Sequence, residues 1–150
     1  MQRELNFLKN KQVKELLQLI NNRWSVELDW GDKYYFLKNF KNKIFIVNKD
    51  INKVEFEKLR IDKLGLYVAE LKNELRLSIE GSQMIGPFAK KNIIELTEDQ
   101  MIYWMQGNDL EIKGEYSGFV ILKHEEYYLG SGKYSDGVIV NHVPKARRIP

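Results

Sequence analysis

The stretch Gly107–Ile149 constrains this chain more than any other. It carries six of the ten glycines, at 107, 114, 118, 130, 132 and 137. Between them lie the short apolar runs Phe119-Val120-Ile121-Leu122, Tyr127-Tyr128-Leu129 and Val138-Ile139-Val140. Short β-rich runs punctuated by glycine predict small strands with tight turns, and so a compact barrel or sandwich. The basic, proline-marked segment Pro144-Lys145-Ala146-Arg147-Arg148 follows the last predicted strand. This pairing suggests an RNA-binding barrel positioned by the rest of the chain.

A length of 150 residues favours one domain or two small ones. The apolar fraction of 43% supports a core, and 30% charged residues fit a soluble protein. The chain has no cysteine, which excludes disulfides, thiolate zinc sites and cysteine nucleophiles. Met1-Gln2-Arg3-Glu4 leads into a charged segment and not an apolar signal region, and no apolar run approaches membrane-spanning length. The expectation is a soluble, cytoplasmic protein. The net charge of +3 is unevenly spread. Residues 1–90 hold 17 Lys and Arg against 12 Asp and Glu, whereas residues 91–150 hold 7 against 9. An RNA surface on the C-terminal half therefore depends on local clustering of positive charge, because phosphates respond to local potential.

Val13, Leu16, Leu17 and Ile20 recur at helical spacing and predict an amphipathic helix over residues 11–23, ending at Asn21-Asn22. Trp24, Val26, Leu28 and Trp30 alternate with polar residues and predict a strand. Tyr34–Leu37 and Ile44–Val47 read as a hairpin, with Lys38, Lys41 and Lys43 at its loop. Val54–Arg60 suggests a short helix, Leu64–Ala69 a buried strand, and Glu74–Glu80 an alternating strand. Ser82–Lys90 suggests a helix interrupted near Gly86-Pro87, or two short turns. Ile93–Leu96 is a further strand. Thr97-Glu98-Asp99-Gln100 carries a capping-box pattern, and Gly107 sits where a helix C′ glycine belongs. A domain boundary falls near Lys90–Asn92 with no flexible linker, so the two halves are expected to pack together.

The motifs of catalysis are missing. Gly130-Ser131-Gly132-Lys133 resembles the end of a phosphate-binding loop, but Tyr127 stands where that loop needs its first glycine and Tyr134 where it needs Ser or Thr. Ser135 likewise replaces the third glycine of a dinucleotide fingerprint. Glycine at a tight turn between two strands explains the segment better. His124 and His142, the only histidines, lie in strand-like runs without metal-ligand spacing. No carboxylate pair stands out. The residues call for no cofactor, no metal and no enzymatic activity.

Residues 92–149 resemble a PUA domain: the strand Ile93–Leu96, the helix from Thr97, the corner Gly107-Asn108-Asp109-Leu110, a strand after Gly118, then Leu129-Gly130-Ser131-Gly132. Upstream, Leu64-Gly65, Leu75-Arg76-Leu77-Ser78-Ile79 and Ile85-Gly86-Pro87-Phe88-Ala89-Lys90 are similar to the Nip-seven family of archaeal and eukaryotic ribosome-biogenesis factors, as is the hairpin Tyr34–Asn48. The ending Val143-Pro144-Lys145-Ala146-Arg147-Arg148-Ile149 looks more like the PUA-like tail of the Sun family of RNA cytosine methyltransferases. Those enzymes have an S-adenosylmethionine domain and active-site cysteines, and this chain has neither. The resemblances imply an α+β fold, with an N-terminal α/β domain over 1–91 and a PUA-like β-barrel over 92–150. They also imply binding of RNA, either ribosomal RNA or pre-ribosomal particles, with a ribosome-assembly protein as a further partner.

Lys145, Arg147 and Arg148 form the densest basic group and are the first candidates for RNA contact. Arg contacts phosphate bidentately and stacks on bases. Lys133, read as part of a glycine turn, is a second candidate, with Tyr134 as a stacking face. Lys90 and Lys91 at the junction are a third. The rival readings are a protein-interaction adaptor and an accessory subunit that brings RNA to a separate methyltransferase. A large exposed apolar patch on the N-terminal half, around Trp24 or Trp30, would favour the adaptor.

Overall fold

The computed structural model describes residues 5–50 and 65–150. The predicted helix Val54–Arg60 lies outside them. Helix α1, Asn10–Trp24, buries Leu16, Ile20 and Trp24, one stripe at helical spacing. The Lys9 amide donates to Gln12 Oε1 at its start (2.8 Å). The helix runs past Asn21-Asn22 and stops at Ser25, which adopts the left-handed conformation (φ 58°) and donates its amide to Asn21 O.

The expected strand Trp24–Trp30 does not form. Trp24 closes α1, and Trp30 opens the short helix α2, Trp30–Lys33. Trp24, Val26 and Trp30 are all buried, so the alternation predicted burial correctly. What it lacked was a neighbouring strand to supply a ladder, without which alternation makes only an extended link.

Strands β1 (Asn6–Phe7), β2 (Tyr34–Lys38), β3 (Lys43–Asn48), β4 (Leu66–Leu71) and β5 (Leu75–Leu77) form an antiparallel sheet in that order. The predicted hairpin is β2–β3, with Tyr34 opposite Asn48 and Lys38 opposite Ile44. The alternation of Glu74–Glu80 is cut at Leu77. Ser78 caps helix α3, Ile79–Ile85, by accepting the Gly81 amide (2.9 Å). A 3-10 turn, Gly86–Phe88, follows, as the proline demands.

The second sheet holds β6 (Ile93–Glu95), β8 (Gly118–His124), β9 (Tyr127–Ser135), β10 (Val138–Val140) and β7 (Leu110–Glu111), in that order. The β6–β8 pair is parallel and the others are antiparallel. Among the described residues this sheet is open, with β6 and β7 as its edges, and not the closed barrel that the sequence suggests. Helix α4, Glu98–Met105, starts with the predicted capping box at Thr97 and ends at Gly107, whose φ is 96°. It delivers Trp104, fully buried, whose indole N–H donates to Leu129 O (3.0 Å).

Gly130-Ser131-Gly132-Lys133 is not a turn. All four residues lie inside β9. Gly130 needs its freedom there, with φ 88°. Gly132 is there for space: a Cβ would fall 2.6 Å from both Ile139 and the Trp104 ring. The two halves share their interior. One buried cluster joins Trp24, Phe36 and Ile46 to Phe119 and Ile121 of β8, and the other joins Ile79 of α3 to Trp104 and Leu122.

Candidate nucleic-acid interface

Two buried serines stitch the halves together. Ser131, in β9, accepts the Leu77 amide and donates to the Leu77 carbonyl, both at 2.9 Å. Ser82, in α3, accepts the Gly130 amide (2.8 Å) and donates to Ile79 O (2.7 Å). Asn92, the first residue of the predicted C-terminal half, donates its side-chain amide to Arg23 O (2.6 Å). The Arg23 guanidinium in turn donates to Ser117 O. Buried polar groups with both partners in place hold one geometry, and losing a partner strands the other. Ser131→Ala leaves the Leu77 N–H and C=O without that partner. It is expected to cost about 2 kcal/mol, read as a fall of roughly 4–8 °C in Tm by calorimetry.

This junction leaves a cleft of about 300 Å³. Lys43, Tyr67 and Arg76 line it from the first sheet, and His142 and Arg147 from the second half. The lining carries three cations, Lys43, Arg76 and Arg147, against one carboxylate, Glu80. Arg76 pairs with Glu70, which also takes Lys72 at 3.1 Å. Burial pushes the Glu70 carboxyl up, but hydrogen bonds from Arg76 and Lys72 outweigh it and hold the group below the usual range. Arg147 pairs with Glu80. Lys43 is held differently: its ammonium lies 5.0 Å from the centre of the Tyr67 ring, and it makes no ion pair among the described residues. Burial pushes the Tyr67 hydroxyl up, against the opposing charge of Arg76. Burial also lowers the His142 pKa, and the charge of Arg76 adds to that, both favouring the neutral imidazole. Its ring sits 5.5 Å from that of Phe119.

The basic tail does not hang free. After Pro144 the chain makes a 3-10 turn, Lys145–Arg147. Arg148 Nε donates to Val143 O (3.1 Å), and the Ile149 amide donates to Met105 O (3.0 Å). The Arg148 guanidinium lies on Gly107, where a Cβ would be 2.5 Å from Nε. All three are exposed, but Lys145 alone of them has no side-chain hydrogen bond or ion pair among the described residues. Arg147 crosses to Glu80 and so joins the tail to the cleft.

The other predicted contacts separate. Lys133 points from β9 to Glu74 (2.7 Å) and is half-exposed. Tyr134 is no stacking face: it is 6% exposed, and its one hydroxyl proton is shared between the carbonyls of Ile112 and Gly114, each at 2.9 Å. A tyrosine on a strand alternates with exposed Lys133 and so faces the core. Lys90 and Lys91 are exposed beside Asn92 but do not line the cleft. Neither Trp24 nor Trp30 offers a docking patch, since both are buried. Lys43, Tyr67, Arg76 and His142 were not foreseen as a group. The one local signal was Arg76, a cation between two core leucines on a strand, and so aimed away from the core.

Among the described residues, no three His, Cys, Asp or Glu come together as metal ligands, and no helix is long and apolar enough to cross a membrane. A comparison with curated proteins finds no match to the chain. Residues 91–149 match the family model of the methyltransferase RsmF PUA domain. The match covers the second sheet, α4 and the tail, and agrees with the resemblance of Val143–Ile149 to the Sun-family appendage; it carries nothing of the Nip-seven resemblance. The C-terminal part of this chain is therefore similar to a PUA domain, a class that binds RNA.

Proposed function

We propose that the chain is a non-enzymatic RNA-binding protein that engages ribosomal RNA or pre-ribosomal particles in the cytoplasm. The PUA match at residues 91–149 carries the reading. The tail supports it, because Lys145 and Arg147 place positive charge beside the cationic cleft. Phosphate contacts of this kind position RNA without reading its bases. Crosslinking in cells, followed by sequencing of the bound RNA, tests the proposal. The expected result is enrichment of ribosomal RNA at a few sites. Recovery of RNA no different from an uncrosslinked control would contradict it.

The match favours a second reading, since the family model is that of a methyltransferase appendage. In that reading the chain delivers RNA to a separate methyltransferase. Crosslinks centred on methylated cytosines, and loss of those marks when the chain is depleted, would support delivery over assembly.

A further inference from the structure

The cleft between the halves is not explained by the tail. Its cations come from three separate places in the sequence: Lys43 at the start of β3, Arg76 in β5 and Arg147 after the last strand. Packing alone does not need three cations around one cavity, since like charges repel and each loses hydration as it is buried. Arg76 and Arg147 are balanced by Glu70 and Glu80, whereas Lys43 rests on an aromatic face and keeps its charge unpaired among the described residues. An unpaired ammonium aimed along an aromatic wall is suited to an incoming anion. A guanidinium has five N–H groups, so Arg76 can hold Glu70 and still donate to a phosphate. Tyr67 and His142 add two flat rings, and the buried Ser131 fixes the floor. At about 300 Å³ the space suits one small polar ligand and not a folded element.

We propose that this cleft receives one nucleotide of a bound RNA strand, its phosphate on Lys43 and Arg76 and its base or ribose against Tyr67 and His142. The inference rests on the RNA-binding reading and adds a site to it. A strand is favoured over a free nucleotide for a physical reason. A lone phosphate must share Arg76 and Arg147 with their carboxylates, whereas a strand gains a further contact at Lys145, two residues before Arg147 and outside the lining.

The test uses the full chain and a fluorescent 12-nucleotide oligouridylate, with anisotropy for affinity and NMR of the His142 ring for location. The expected result is that Lys43→Gln weakens binding about tenfold and flattens the slope of log affinity against log salt by about 0.7. The His142 resonances should shift when RNA is added to the unsubstituted chain. Lys41→Gln, in the adjacent loop with its ammonium over Phe40, should change neither. Uridine 5′-monophosphate should bind far more weakly than the strand. If the strand binds Lys43→Gln as well as the unsubstituted chain and leaves His142 unmoved, the cleft proposal is wrong while RNA binding stands. If the mononucleotide binds as tightly as the strand, the site is a free-nucleotide pocket and the proposal is again wrong. Absence of strand binding by the unsubstituted chain overturns the RNA reading itself. Lys43 is half-exposed and strands no buried partner, so the variant should unfold at the same temperature as the parent.

Discussion

Replacing Gly81 by alanine is expected to destabilise the chain by roughly 3 kcal/mol or more, the upper end of what overpacking costs. A Cβ at Gly81 falls 2.0 Å from the carbonyl oxygen of Val68 and 3.0 Å from its carbon. These are backbone atoms of β4, a strand hydrogen-bonded on both sides by β3 and β5, so they cannot step aside. Relief requires α3 to lift from the first sheet. That helix carries Ser82 and Ile79, which hold β9 and the second core, so the cost spreads into the C-terminal half. Urea unfolding would show a lower midpoint. Gly31→Ala is the comparison: its Cβ meets only ordinary contacts, at 3.9 Å from Val13 and 4.0 Å from Leu17. It should be neutral or slightly stabilising, since alanine favours the helix by about 1 kcal/mol over glycine. Equal effects at the two positions would contradict the close approach of α3 to β4.

The triple replacement of Lys145, Arg147 and Arg148 by alanine should weaken RNA binding and flatten its salt dependence. Each phosphate neutralised on a single strand contributes about −0.7 to the slope of log affinity against log salt, so three contacts give up to ~2. The structure ranks the three. Lys145 has no competing partner among the described residues, whereas Arg147 holds Glu80 and Arg148 holds Val143 O. Both arginines keep spare N–H groups, so the full change remains available. Lys145→Ala alone should therefore produce a larger loss than either single arginine. The variants should stay folded, because the Arg147–Glu80 pair is half-exposed and such pairs contribute about 0–1 kcal/mol. A folded triple variant with unchanged affinity and slope would move the RNA surface to the cleft and the lysines of the β2–β3 loop.

Local patterns predicted much of the scaffold. The stripe Leu16, Ile20, Trp24, the Thr97 capping box and the glycine after α4 are read within one or two turns of chain, and each is present. The errors arose where the answer depended on a distant partner. Trp24–Trp30 alternates like a strand but has no strand beside it. Gly130 and Gly132 resemble a turn in sequence. In fact one supplies a positive φ within β9 and the other makes room for Trp104, which is 28 residues away by number. Tyr134 looked available because an aromatic beside a lysine suggests a stacking surface, yet the pleat sends the two to opposite faces. The cleft was the least legible feature. Lys43, Tyr67, Arg76, His142 and Arg147 meet only because Ser131 and Ser82 bind β5 and α3 to β9, and no local pattern announces a serine that joins two sheets.

The most direct test of RNA recognition by this chain is its affinity for a single-stranded RNA measured between 50 and 200 mM salt. Contacts from Lys43, Arg76, Lys145 and Arg147 predict a straight line of log affinity against log salt with a slope of roughly −2 to −3. Saturable binding with that slope is the expected result. No saturable binding at the lowest salt, or an affinity that salt leaves unchanged, would contradict an RNA surface built on these cations.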